Sequence, residues 1–171
     1  MLKGPVLQSF DRVLCIAFSA NTEKIVTGLI GGTLKLWSTR SRKLLRTLDA
    51  HIGAEEINDA LEAAFSPDGK LIASGHADNQ VWLWDAATGK PLRVLRGHTK
   101  AVGAVAFSPE GTILASGGHD GLIKLWNPHT GQESRMLELQ HGPVYSIAFA
   151  PDGSTLASGY KDGIIALWRI K

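Results

Sequence analysis

Apolar and polar residues alternate over short runs through most of the chain, and clusters of Pro, Asp, Asn and Gly break the rhythm at near-constant intervals. Across 102–139 this predicts four strands: Val102 to Ser108, Ile113 to Gly117, Leu122 to Asn127, and a last run near Ser134 to Leu139. The turns between them are Ser108-Pro109-Glu110-Gly111, His119-Asp120-Gly121 and the stretch "NPHTG". Such runs, divided by residues that favour tight reversals, read as a four-stranded antiparallel meander. The second run ("LIASG", "ILASG", "TLASG") is apolar on both faces, as in a sheet sandwiched between neighbours. Only "GAEEINDAL", at 53–61, allows a short helical turn.

The meander recurs. The segments "CIAFSANTEKIVTGLIGGTLKLW", "EAAFSPDGKLIASGHADNQVWLW", "AVAFSPEGTILASGGHDGLIKLW" and "SIAFAPDGSTLASGYKDGIIALW" align without gaps. Each runs from a Phe to a Trp nineteen residues later: Phe18 to Trp37, Phe65 to Trp84, Phe107 to Trp126, Phe149 to Trp168. The Trp spacings are 47, 42 and 42, a period of about 42 with one insertion before Phe65. One four-stranded sheet cannot bury both its faces alone; repeated sheets packed face to face can, and radial closure protects their edges.

Length and composition narrow the picture without changing it. The 171 residues suit a single domain, 1–171, with repeat units at about 11–48, 51–95, 98–139 and 141–171. A net charge of +2, without clustered Lys and Arg, is no nucleic-acid footprint. The longest apolar run, Val13 to Phe18, has six residues, far short of the about 18 that a helical membrane span needs. A lone cysteine, Cys15, needs no oxidising compartment and reads as a small packed residue in the first strand of its unit, so a cytoplasmic location is the expectation.

Several motifs sit at fixed offsets in these units: Gly97-His98, Ser66-Pro67-Asp68-Gly69, Ala-Ser-Gly at 73–75, 115–117 and 157–159, and Trp84-Asp85. In these residues the chain resembles the WD40-repeat (WD-repeat) family of β-propellers over essentially its whole length. The resemblance implies an all-β propeller whose blades each hold four antiparallel strands, a to d. It also implies a role for the recurring Ser, His and Asp. Ser116, His119 and Asp120 invite comparison with a hydrolytic triad, but Ser116 recurs as Ser74 and Ser158, and Asp120 as Asp78 and Asp162. In the family such residues form hydrogen-bonded tetrads. By resemblance these are His98, Ser116, Asp120 and Trp126; His141, Ser158, Asp162 and Trp168; and His51, Ser74, Asp78 and Trp84. Buried hydroxyl, imidazole and indole groups are costly unpaired, and a chain of donors and acceptors satisfies each. Three copies argue for structure, so no enzyme, cofactor or metal is expected. The first unit has Gly31 where the Asp should be and no Gly-His, so it lacks the tetrad.

His119 varies between units, being replaced by Ala77, Lys161 and Ile30. With His76, Lys100, Tyr160 and Lys161, and with Glu55 and Glu56 of the insertion, it makes a candidate partner-binding set on the top face, the end of the blades carrying the b–c turns. The function this implies is an interaction scaffold for a protein or peptide, or an architectural part of a larger WD-repeat protein, with neither nucleic acid nor membrane as partner. The last unit stops after its third strand, and residues 4 to 8 occupy the slot of a strand that could complete it. Three arrangements stay open: a closed four-blade monomer, a homodimer forming an eight-bladed ring, or a piece of a longer protein.

Overall fold

The computed structural model describes residues 7, 9, 11–49 and 59–171. They form fifteen strands in four antiparallel sheets, each a meander in chain order. Blade one holds β1 (Val13–Phe18), β2 (Lys24–Leu29), β3 (Leu34–Ser38) and β4 (Leu44–Leu48); blade two holds β5 (Ala60–Phe65), β6 (Leu71–His76), β7 (Val81–Asp85) and β8 (Pro91–Leu95). Blade three holds β9 (Val102–Phe107), β10 (Leu114–Gly118), β11 (Leu122–Trp126) and β12 (Glu133–Glu138). Blade four has three described strands, β13 (Val144–Phe149), β14 (Thr155–Tyr160) and β15 (Ile165–Arg169). The strands of blade three fall within a residue or two of those predicted from the alternation. The segment 53–58 lies outside the described residues, and the end of "GAEEINDAL" enters β5, not a helix.

Register shows how the blades join. In blade three, Ser116 lies opposite Val105 and Lys124, whereas Ala115 lies opposite Ala106 and Leu125, and Gly117 opposite Ala104 and Ile123. Facing residues in an antiparallel pair share one side of the sheet. One side is therefore made of Ala104, Ala106, Ala115, Gly117, Ile123 and Leu125, and we call it the trailing face. The other, the leading face, carries Val105, Phe107, Leu114, Ser116 and Trp126. Each core lies where the trailing face of one blade meets the leading face of the next. Cys15, Val26, Leu34 and Leu36 of blade one pack on Ala60, Ala63, Ile72 and Trp84 of blade two. Ala73, Val81 and Leu83 pack on Val102, Val105, Leu114 and Trp126. Ala104, Ala115, Ile123 and Leu125 pack on Val144, Ile147 and Leu156.

Alternating small and large residues fit these faces together. A Cβ on Gly75 would lie 2.7 Å from the Val102 carbonyl oxygen and 2.9 Å from its Cγ1, and one on Gly117 would lie 2.6 Å from Val144 Cγ1. The strand-b glycine is thus the socket for the first strand of the next blade. Arginines add a second junction on the outer rim. Arg46 Nε donates to the Ala87 carbonyl at 2.8 Å, and Arg93 Nη2 to the His129 carbonyl at 2.6 Å. Each joins a fourth strand to the turn after strand c of the following blade.

Packing between the innermost strands runs β1 to β5 to β9 to β13, and among the described residues none of similar extent returns from blade four to blade one. The chain is an open arc, not the closed four-blade monomer that was one of the three expected arrangements. Each junction joins a trailing face to a leading face, and the outermost two faces do not meet. Of the predicted closing strand at 4–8, only Leu7 is described, and it is not in a strand.

Candidate functional site

Strand β10 and the turn after it position the most complete polar chain. Asp120 leads the turn from β10 to β11, and its Oδ1 accepts the Leu122 amide at 3.1 Å, which holds the turn closed. Its Oδ2 accepts the Thr99 amide at 2.8 Å and contacts His98 Nδ1 at 3.0 Å. His98 Nε2 lies 2.8 Å from Ser116 Oγ, which accepts Trp126 Nε1–H at 2.8 Å. One assignment satisfies every group. The indole donates to Ser116, the Ser116 hydroxyl donates to His98 Nε2, and Nδ1–H donates to Asp120. Burial lowers the His98 pKa against the opposing pull of Asp120, so its imidazole is neutral near pH 7. Burial also works against the Asp120 carboxylate, but the Thr99 amide, the His98 ring and the Leu122 amide together hold its carboxyl below the usual range.

Among the described residues the other two sets differ, and the difference centres on one position. A Cβ on Gly118 would collide with the Asp120 carboxylate and the His98 ring. Only a glycine there leaves room for the incoming imidazole. The matching residues are His76 in blade two and Tyr160 in blade four, and both turn inward: His76 is fully buried and Tyr160 is 5% exposed. In blade two, Ser74 accepts Trp84 Nε1–H at 2.9 Å, and its imidazole partner is His76 Nε2 at 2.7 Å, from the same strand. The expected partner, His51, lies outside the described residues, as do Glu55 and Glu56. Asp78 Oδ1 accepts the Gln80 amide of its own turn.

In blade four the set is split. Trp168 Nε1–H donates to Ser158 at 2.8 Å, and His141 Nδ1 lies 2.8 Å from Asp162 Oδ2. Among the described residues no hydrogen bond joins His141 to Ser158, because the Tyr160 ring fills the gap and His141 stands edge-on to it with centroids 6.3 Å apart. The side chains of His141 and Asp162 are 43% and 42% exposed. Blade one keeps the lower half of the pattern: Trp37 Nε1–H donates to Thr27 Oγ1 at 3.0 Å. Where its turn lacks an Asp, the Gly31 amide donates instead to Asp59 Oδ1 at 3.0 Å, a carboxylate at the start of blade two.

Several comparisons bear on these blades. The family described as "IFT122 first beta-propeller" matches residues 12–171. The chain belongs to this WD-repeat β-propeller family. The solved structure of U3-55K is similar over 95% of this chain and 50% of its own, with a TM-score of 0.85 at 22% identity. Among sequences, Small ribosomal subunit protein RACK1y of Oryza sativa subsp. japonica is 38% identical over 82 residues, 47% of this chain and 23% of its own. Nuclear distribution protein nudF 2 of Aspergillus clavatus is 37% identical over 98 residues, 56% of this chain and 22% of its own. Autophagy-related protein 16 of Arabidopsis thaliana is 31% identical over 90 residues, 53% of this chain and 17% of its own. The chain spans less than a quarter of the length of these relatives.

In this WD-repeat arc the predicted surface set divides. His76 and Tyr160 do not belong to the rim: their place beside Ser74 and Ser158 points them into the junction with the preceding blade, and burial there removes them as contacts for a partner. Lys100 and Lys161 are exposed, and His119 is half-buried. The His119 amide donates to the Ala101 carbonyl, and the Lys161 amide to the Pro143 carbonyl, so each b–c turn is tied to the entry of its own first strand. His119 also stands edge-on to Tyr145, with ring centroids 5.3 Å apart. Tyr145, 51% exposed on β13, was not singled out from the sequence. The signal was present, since its aligned residues are Leu14, Leu61 and Gly103 and only this unit has an aromatic there. Cys15 is buried at the first junction, where burial and the neighbouring Glu62 charge push its thiol pKa up to about 12, so it is no nucleophile. Among the described residues no helix is long and apolar enough to cross a membrane.

Proposed function

We propose that this WD-repeat arc is a non-catalytic scaffold that holds a protein or peptide at the b–c turns of blades three and four, through Lys100, His119, Tyr145 and Lys161. The observation that carries the reading is the His119–Tyr145 pair. It brings an imidazole from one blade against an exposed aromatic ring of the next, and the exposed Lys100 and Lys161 lie in the connections of the same two blades. An aromatic platform with nearby cations suits an acidic or aromatic segment of a partner. The Ser-His-Asp grouping does not compete with this reading. Ser116 is fully buried, and its oxygen is occupied on both sides, by the Trp126 indole and the His98 ring. No substrate carbonyl could reach it. A cytosolic location is part of the proposal and agrees with a lone, buried thiol.

The test is capture of partners from a cell extract by the parent chain and by a Lys100→Glu, His119→Ala, Lys161→Glu variant, with folding checked by thermal melting. The reading expects the variant to keep its melting temperature and lose the proteins the parent retains. Retention of the same proteins in the same amounts would sink it.

A further inference from the structure

The c–d turn of blade one departs from its sister turns in charge. It reads Ser38-Thr39-Arg40-Ser41-Arg42-Lys43, against Asp85-Ala86-Ala87-Thr88-Gly89-Lys90 in blade two and Asn127-Pro128-His129-Thr130-Gly131-Gln132 in blade three. Arg40, Arg42 and Lys43 thus crowd three positive charges into four residues, where blade two has Lys90 with an Asp at the head of the turn and blade three has neither Lys nor Arg. All three are exposed, and among the described residues none of their side chains is held in a hydrogen bond or an ion pair. By contrast Lys35, Lys124 and Lys171 each sit on a carboxylate at 2.6 or 2.7 Å. The exposure belongs to the position in the blade. Ala87 and His129 stand where Arg40 does, Lys90 and Gln132 where Lys43 does, in blades packed on both sides, and all four are exposed as well.

The backbone of this turn differs too. Arg42 has φ 59°, in the left-handed region, where the sister turns place Gly89 (φ 74°) and Gly131 (φ 80°). A residue with a side chain holds that conformation against its preference. The neighbouring a–b turn repeats the exception: Thr22 has φ 57°, where the other three blades have Gly69, Gly111 and Gly153. Thr39 fastens the two turns together. Its hydroxyl donates to the Thr22 carbonyl at 2.8 Å and its amide to the Glu23 carbonyl at 3.0 Å. Ala86 and Pro128, at the place of Thr39, have no hydroxyl for the first of these bonds. Two unfavourable conformations kept in one clamped pair of turns hold the cations in place before a ligand arrives, and such preorganisation lowers the cost of binding.

Beside the turn lies a hollow of about 250 Å³ lined by Glu23, Lys24, Ser38, Arg40 and Leu45. Leu45 is 43% exposed, so an apolar surface adjoins the cations. We propose that this end of blade one binds an acidic peptide segment, with carboxylates on Arg40, Arg42 and Lys43 and an apolar side chain on Leu45. The planar fork of a guanidinium matches a carboxylate, and none of these cations has to give up an internal partner first. Glu23 in the hollow opposes a uniform polyanion, such as a nucleic-acid backbone or an anionic lipid surface, and the lining has no aromatic ring on which a base could stack. A peptide can set an uncharged residue against Glu23. The a–b and c–d turns lie at the end of the blades opposite the b–c turns, so this site stands or falls separately from partner binding there.

The test is fluorescence anisotropy, at physiological salt, of a labelled peptide of Asp and Glu residues around one central Leu, beside the same peptide with Asn and Gln in place of the acids. The parent chain should bind the acidic peptide and not its amide counterpart. Arg40→Glu with Lys43→Glu should weaken binding about tenfold or more. Lys100→Glu with Lys161→Glu changes the net charge equally at the other end of the blades, and should leave binding within about twofold. Arg42→Gly should weaken binding about threefold to fivefold while raising the melting temperature, because glycine accepts the positive φ without strain. A parent that does not bind the acidic peptide overturns the proposal. Equal loss in the two charge-reversed variants overturns it by reducing the effect to net charge, and loss in the Lys100→Glu, Lys161→Glu variant alone overturns it by assigning the peptide to the b–c turns. Tighter binding of single-stranded polyuridine or of phosphatidylserine vesicles than of the peptide overturns the choice of partner.

Discussion

Ser116 and Ser158 occupy the same position in successive blades, and the geometry around them predicts that the same substitution has unequal effects. Ser116→Ala strips the acceptor from Trp126 Nε1–H and the donor from His98 Nε2, and both partners sit in a junction closed to water. A buried polar group left unpaired costs about 1–3 kcal/mol, so two cost about 2–6 kcal/mol. Ser158→Ala removes one partner only, from Trp168, which is half-buried on β15, the outermost described strand of blade four. Water reaches that indole more readily, and the loss is the net value of a single hydrogen bond, about 0.5–1.5 kcal/mol. For a chain of this size a loss of about 3 kcal/mol lowers the melting temperature by roughly 6–12 °C, and a loss of 1 kcal/mol by roughly 2–4 °C. Ser74→Ala belongs with Ser116, since Trp84 and His76 are both fully buried. The assay is thermal and urea unfolding of the three variants, followed by tryptophan fluorescence. Because stacked repeats need not unfold as one unit, amide hydrogen exchange should be resolved blade by blade. Equal shifts for Ser116→Ala and Ser158→Ala would refute the reasoning, because they would mean that filling the slot at Tyr160 leaves the hydroxyl's energetic role unchanged.

Two further outcomes follow from the same contacts. His98 titrates below the ordinary imidazole value of 6.5 in the folded chain, so the unfolded chain takes up the proton first. Its contribution to stability is complete above about pH 6.5 and is lost as pH falls toward the folded pKa; the melting temperature should drop across that window, and His98→Gln should flatten the slope. A slope unaltered by His98→Gln would remove His98 as its source. On the rim, Arg93→Ala should lower stability by about 1 kcal/mol through the lost His129 carbonyl contact, whereas Arg135→Ala, the same position one blade on, should change it by less than about 0.5 kcal/mol. Denaturant midpoints decide this, and a larger effect at Arg135 would contradict it.

Much of the architecture was legible because it is repeated. The strands of blade three could be placed from alternation and turn residues, and the fixed Phe-to-Trp interval set the number of units. The serine-indole bond could be anticipated by aligning Ser74, Ser116 and Ser158 with their tryptophans, and it is present in all three blades. What alignment did not disclose was the effect of one neighbour. His76 and Tyr160 were expected as contacts on the top face, but, like Gly118, they lie two positions beyond the serine, on the same side of the strand, and so point into the junction. A glycine there admits His98; in blade two the imidazole at that position itself reaches the serine, and in blade four the phenol stands edge-on to His141. The alternation contained this information, because residues two apart in a strand share a face. Similarly, the arginine contacts on the rim depend on a backbone carbonyl in the following blade, which side-chain patterns do not report.

A junction repeated with one residue pairing each time also bears on how such a gene can change. Duplicating or deleting a segment of about 42 codons between equivalent points removes or adds one whole blade. It leaves behind the same kind of contact that was there before, a strand-b glycine under the first strand of its new neighbour. No compensating core substitution has to arise at the seam. In this design the number of blades is free to drift by recombination while the chemistry between them is held constant, and selection on blade number can act separately from selection on packing.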